Sequence, residues 1–256
     1  MLAKIEIDLN KSIEENAGRY FDRAKKAKKK KQGAGEALEK SLKKLEKIKK
    51  ERPAEKEKTK KKDVKREWYE KFRWFISSEG FLCIGGRDAT SNEIVIKKHT
   101  EKHDIVFHTD MAGSPFFVVK TKGKKVGKAT LEEAAQATAS YSRAWRLGVA
   151  VLDVFYVKPE QVSKKTKSGE YMPKGAFMIY GKTTYLRPEL RLAVGIKDGR
   201  IIAGPVGAVK KNADKYVIIE QGREKASALA KKIKAKIGGE LDDIIRMLPA
   251  GGGSVR

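Results

Sequence analysis

The sequence predicts an α+β protein: a mixed β-sheet domain with packed helices, preceded by a basic helical arm of coiled-coil type. Apolar residues make up 40% of the 256 residues. They concentrate in the second half, where there is enough chain for one domain with a proper core. Lys and Arg number 58 against 33 Asp and Glu, a net charge of +25, and residues 19–66 alone hold 22 basic and 8 acidic side chains. From Trp68 the composition changes abruptly, and short apolar runs alternate with helical periodicity in an order that fits a mixed sheet rather than a doubly wound one.

Taken from the N-terminus, Lys4 to Leu9 alternates polar and apolar residues and predicts a short strand. Ser12 with Glu15 is a capping box, and Ile13, Ala17, Tyr20, Phe21, Ala24 and Ala27 then hold one helical face. Gly33 and Gly35 predict a break. Beyond it Leu38, Leu42, Leu45 and Ile48 recur at the spacing of a coiled-coil seam, which Pro53 ends. The Lys/Glu-rich run through Lys62 has no apolar stripe and reads as a solvated linker.

Arg73 to Ser78 and Phe81 to Ile84 read as a hairpin, Asp88 to His99 as a helix, and Asp104 to His108 and Pro115 to Lys120 as strands. Thr130 with Glu133 predicts a second capping box. The helix it opens places Leu131, Ala135, Thr138, Tyr141 and Trp145 on one side and ends at Gly148. Val149 to Val157, Ala176 to Tyr180, Thr184 to Arg187, Ile201 to Ala203 and Tyr216 to Glu220 predict further strands. Glu224 to Ile237 and Leu241 to Leu248 predict helices, and Gly251-Gly252-Gly253 begins a loose tail. The implied division is an arm with linker over 1–62, a domain over 63–190, and an α/β extension of that domain over 191–256.

So large a positive charge costs self-repulsion in the compact state, and the ordinary explanation is a polyanionic partner, with nucleic acid ahead of an acidic membrane surface. Cys83 is the single cysteine, so neither an intramolecular disulfide nor a cysteine metal knuckle can form, which fits a reducing cytoplasm. No run approaches the roughly 18 apolar residues of a membrane span, and the N-terminus lacks the apolar core of a signal peptide. These features predict a cytoplasmic protein with no membrane partner.

The most specific local pattern is Leu82-Cys83-Ile84-Gly85-Gly86-Arg87-Asp88, a strand running into two glycines and a helix. Glycines admit a phosphate to the backbone, a helix N-terminus offers free N–H groups, and Arg87 adds a forked donor, with Asp88 and Asn92 one turn apart. The competing reading is a tight turn with Asp88 as N-cap and Arg87 in a surface ion pair. A second pattern runs from Gln161 through Ser163, Lys164 and Lys165 to Ser168-Gly169-Glu170-Tyr171, Lys174 and Lys182. It suits a loop laid along a sugar-phosphate backbone, or one that is lysine-rich for solubility.

His99, His103 and His108 with Asp104 and Asp110 raise an alternative, a metal-dependent RNA-processing enzyme. In a strand over 104–108, however, only Asp104 and His108 share a face. No Gly-x-Ser-x-Gly elbow is present, and Cys83 reads as core. Trp68, Tyr69, Phe72, Trp74 and Phe75 read mostly as packing, with one ring free to stack a base.

The run Trp68-Tyr69-Glu70-Lys71-Phe72-Arg73-Trp74-Phe75-Ile76-Ser77-Ser78-Glu79-Gly80, followed by Gly85-Gly86-Arg87-Asp88-Ala89 and Asn92-Glu93, closely resembles the NFACT-R domain of the NFACT family. Gly113-Ser114-Pro115, Ser142-Arg143-Ala144-Trp145, Gln161-Val162-Ser163-Lys164 and Gly175-Ala176-Phe177-Met178 continue the pattern in the same order. The resemblance is strong over 65–190, and residues 1–62 resemble the end of the family's coiled-coil middle region.

It implies a non-enzymatic RNA-binding component of ribosome-associated quality control, without cofactor or small-molecule substrate. Such a component binds the large ribosomal subunit and tRNA at stalled nascent chains. The family's N-terminal domain, to which tRNA selection during template-free tailing is attributed, has no counterpart in this sequence. The candidate RNA-binding residues are Arg87, Asp88 and Asn92, with Lys97 and Lys98 farther along the helix, then His108 and Arg143. From the lysine-rich loop come Ser163, Lys164, Lys165, Lys174 and Lys182.

Overall fold

The computed structural model describes residues 5–51, 67–164 and 172–256. The chain divides into two compact units, Met1–Lys65 and Arg66–Arg256.

The first unit is built on one helix, α1 (Ile13–Glu51). Its start follows the sequence: Ser12 Oγ accepts from Glu15 N at 3.1 Å and Glu15 Oε2 accepts from Ser12 N at 2.9 Å. Residues 5–9 form no strand. Their polar groups go to α1 instead, where Tyr20 Oη bonds both Glu6 N and Glu6 O, and Asn16 Oδ1 accepts from Asp8 N. With no second strand to complete a ladder, the helix side chains satisfy this backbone.

Gly33 and Gly35 do not break α1, because glycine costs a helix only about 1 kcal/mol and flanking residues propagate it. Leu38, Leu42 and Leu45 lie along it 62%, 53% and 49% exposed. Pro53 and the linker through Lys62 lie outside the described residues.

After a 3-10 turn over Trp68–Lys71 the second unit forms the expected hairpin, β1 (Arg73–Ile76) and β2 (Leu82–Gly85), paired antiparallel with Phe75 opposite Cys83. Helix α2 (Ala89–His99) follows, then β3 (Ile105–Thr109) and β4 (Phe117–Lys120). After α3 (Lys128–Ser140) and α4 (Arg143–Leu147) come β5 (Val154–Val157), β6 (Val162–Ser163), β7 (Met178–Ile179) and β8 (Thr184–Leu186). Six strands form one antiparallel sheet in the order β1-β2-β4-β3-β5-β8, and β6 and β7 pair by themselves.

Both faces of this sheet are covered, which is why all four residues of β4 are buried rather than alternating. One face packs Ile84, Val106, Val118 and Phe155 around Val95 of α2. The other packs Cys83, Phe107, Phe117 and Val119 against the alanines of α3 and a second sheet. That second sheet joins β9 (Arg191–Lys197), β10 (Arg200–Gly204), β11 (Lys215–Glu224) and β12 (Gly253–Val255) in the order β10-β9-β11-β12. Helices α5 (Val206–Asn212), α6 (Ala226–Ile237) and α7 (Leu241–Met247) belong to the same segment. Among the described residues no helix is long and apolar enough to cross a membrane.

Several expectations need correction. Thr130 and Glu133 form no capping box: the N-cap of α3 is Gly127, and Glu79 from the hairpin turn accepts from Thr130 N at 3.0 Å. Glu133 instead accepts from Ser78 N at 2.9 Å. The single helix expected through Trp145 breaks at Tyr141, where Ser142 caps α4, and the strand expected from Val149 forms only over Val154–Val157.

The glycine run at 251–253 is no loose tail. Trp145 Nε1 donates to Gly252 O at 2.8 Å, Gly253 leads β12, and a Cβ on Gly253 would sit 2.8 Å from Leu229 Cδ2. These glycines admit close approach of chain to chain. Strand β9 escaped the sequence reading because Gly195 interrupts its apolar run. A Cβ there would lie 2.6 Å from Ala213 Cβ, so the glycine serves packing.

Candidate nucleic-acid interface

The Gly85-Gly86 pair shapes the site by letting neighbours in. A Cβ on Gly85 would stand 2.6 Å from the Phe117 ring, and one on Gly86 would collide with Asn92 Oδ1. That buried amide oxygen accepts from Phe116 N at 3.1 Å, while Asn92 Nδ2 donates to Ser114 O at 3.4 Å. Asn92 therefore fixes the 113–116 segment against α2. Ser114 is held in turn by Thr109 Oγ1 and Met111 O, and the His108 ring stacks on Phe116 with centroids 3.9 Å apart. Burial pushes the His108 pKa down to about 4, so the imidazole is neutral at pH 7.

The third wall is the segment 174–177. Gly175 takes φ +79°, its N–H donates to Glu93 Oε2 at 3.2 Å, and a Cβ would meet Ala89 Cα at 2.6 Å. Glu93 also receives Lys97 at 2.7 Å and Lys164 at 3.5 Å. The Lys97 hydrogen bond and the Gly175 N–H hold its pKa down to about 2. One carboxylate thus ties the lysine-rich segment to α2. Between the three walls lies a cleft of 350 Å³, lined among others by Arg87, Asp88, Asn92, His108, Phe116 and Lys174.

Asp88 and Arg87 behave differently from the phosphate cradle expected of them. Asp88 is the N-cap of α2: Oδ1 accepts from Ser91 N at 2.7 Å, and Ser91 Oγ accepts from the Arg87 and Asp88 amides. The helix N-terminus is already occupied by a carboxylate. The Arg87 fork points to protein, with Nη1 donating to Arg246 O at 2.8 Å and Nη2 to Phe72 O at 3.1 Å. It forms no ion pair with Asp88 or Glu79, so the surface-pair alternative is not what the geometry shows either. Tyr141 Oη reaches Met247 O and Arg73 Nη1 reaches Leu248 O, so three donors meet the carbonyls at the end of α7. Burial, then the neighbouring Arg73 and Arg246 charges, lower the Arg87 pKa to about 10, and its Nε is buried without an acceptor among the described residues.

Of the other candidate residues, Lys174 lines the cleft and lies near enough to Asp88 to help lower that carboxyl's pKa. Arg143 stands exposed beside Gly113, whose Cβ would lie 3.5 Å from its own. Lys97 and Lys164 are engaged by Glu93, and Lys98 is exposed. Ser163 lies in β6 and Lys182 is exposed near Gln161, both apart from the cleft lining. Lys165 lies outside the described residues, as do Ser168 to Tyr171. The sequence reading missed Ser114, Phe116, Tyr141 and Phe177 as cleft residues, since an apolar run signals a strand without telling which side chains border a gap.

The histidine cluster disperses. His99 stacks on Trp68 with centroids 4.6 Å apart, Asp104 is held by Lys120 and the Thr121 and Glu101 amides, and Asp110 accepts from Tyr185 Oη. Among the described residues no three His, Cys, Asp or Glu side chains come together as a metal site. Phe72 and Phe75 are core as expected, and Trp68 is the most exposed of the five aromatics at 45%.

Residues 71–181 match the model of the NFACT protein RNA binding domain. The chain is 45% identical over 195 residues to the archaeal Rqc2 homolog aRqcH of Methanocaldococcus jannaschii, covering 73% of this chain and 29% of that protein. The chain belongs to the NFACT family. It is also 41% identical to the ribosome quality control complex subunit NEMF of Homo sapiens, over 68% of this chain and 16% of that one. For the NEMF homolog of Drosophila melanogaster the figures are 37%, 75% and 20%. The chain thus spans less than a third of the length of these relatives. All three cleft walls fall inside the NFACT RNA binding domain, whereas the α7 carbonyls that Arg87 and Arg73 hold lie beyond the match.

Proposed function

We propose that this chain is an RNA-binding part of a ribosome quality control protein, engaging the large ribosomal subunit and tRNA at stalled nascent chains in the cytoplasm. One observation carries the reading. The family's RNA binding domain coincides with a cleft that exposed Lys174 lines and beside which Arg143 stands exposed next to Gly113. Residues 67–256 hold 34 Lys and Arg against 21 Asp and Glu, so this unit is basic without the arm. Exposed cations bind phosphates and release condensed counterions, which gives affinity without turnover. Relatives named as ribosome quality control complex subunits supply the setting.

Purified chain titrated with large subunits, small subunits and tRNA over a salt series tests the reading. Affinity for large subunits and tRNA that falls steeply with salt supports it. Equal affinity for small subunits, or binding indifferent to salt, overturns it.

A further inference from the structure

We infer that the cleft takes one unpaired base of the bound RNA, while the phosphates on either side of that base lie on the cations at its rim. This rests on the RNA-binding reading above and adds the chemistry of a single contact. At 350 Å³ the cleft stands at the small end of the roughly 300–1,000 Å³ of small-ligand sites, room for one ring system and not for a duplex groove.

Its lining decides what enters. Pro115, Phe116 and Phe177 supply apolar wall, and Asn92 and His108 supply uncharged polar groups. The Asp88 carboxylate also borders the space, so an anion inside is repelled while a neutral heteroaromatic ring is not. Outside, Lys174 and Arg143 present positive charge where the backbone of a strand would pass. An apolar peptide side chain would leave the cationic rim unused. A base in a single strand fills the cleft and brings its flanking phosphates to the rim.

Ala112 is exposed and lines the cleft, so Ala112→Phe fills the space without deleting any group. The full chain and this variant are titrated with a short single-stranded oligoribonucleotide and with the same sugar-phosphate chain made abasic. The native chain is expected to bind the base-bearing strand about tenfold tighter, the scale of one stacked base. The variant is expected to lose that preference while keeping its affinity for the abasic strand and its melting temperature. If Ala112→Phe melts early, Ala112→Leu repeats the comparison with a smaller plug. Equal affinity of the native chain for both strands overturns the base site but leaves RNA binding standing, as does a preference that survives the plug. Absence of binding to either strand overturns the RNA-binding reading with it.

Discussion

Arg87 ties Phe72, just before the hairpin, to the end of α7. The strand-glycine-glycine-helix pattern marks it, but the fork closes on Phe72 O and on Arg246 O, 159 residues away, which no local pattern reveals. Arg87→Ala is therefore foremost a stability lesion. Each hydrogen bond from a charged group contributes about 1.5–3 kcal/mol, so thermal melting is expected to show a loss of at least that size, with Arg87→Lys restoring only part because it lacks the fork. Unchanged melting with weakened RNA binding would return Arg87 to the phosphate role.

His108 gives a pH prediction. Its folded pKa of about 4 lies below the ordinary 6.5, so the unfolded chain binds the extra proton between those values. Stability from this group is complete above pH 6.5 and drains as pH falls toward 4, by about 3 kcal/mol at most. His108→Gln is expected to flatten the acid limb of a melting series. An acid limb as steep as in the native chain would show that other groups control it.

At the scale of elements, the sequence located starts and ends well where the chemistry was local, as at Ser12 and Asp88, and failed where a distant group took the role. The start of α3 is one failure, because Glu79 supplies the acceptor that Thr130 was expected to supply, and Gly127 leaves room for that carboxylate. The glycine tail is the other. Deleting 251–256 removes β12 and the Trp145 hydrogen bond and is expected to cost several hydrogen bonds at about 1 kcal/mol each, read as an earlier denaturant midpoint. An unchanged midpoint would mean that the tail is dispensable after all. Deleting 1–62 is expected to weaken binding to all RNAs and flatten the salt slope, since 19–66 carry 22 basic and 8 acidic residues. An unchanged slope would remove the arm from RNA contact.

For the whole molecule, the α+β class and the order of most elements from Arg73 to Leu248 were legible because binary patterns and turn residues report local geometry. Which faces meet was not. The sheet is buried on both sides, so β4 shows no alternation, and the second sheet joins the first through Leu192, Val194 and Ile219, contacts that have no sequence signature. The cleft shares this origin: Asn92, Ser114, Phe116 and Lys174 come from three segments that only the folded sheet unites.

RNA is expected to meet this domain at that cleft and its rim. Ultraviolet crosslinking of the chain bound to large ribosomal subunits, with the crosslinked residues mapped by mass spectrometry, tests it most directly. Crosslinks are expected within 86–98, 108–116, 141–143 and 174–177. Crosslinks confined to the arm, or to α6 and the second sheet with none at the cleft, would contradict it.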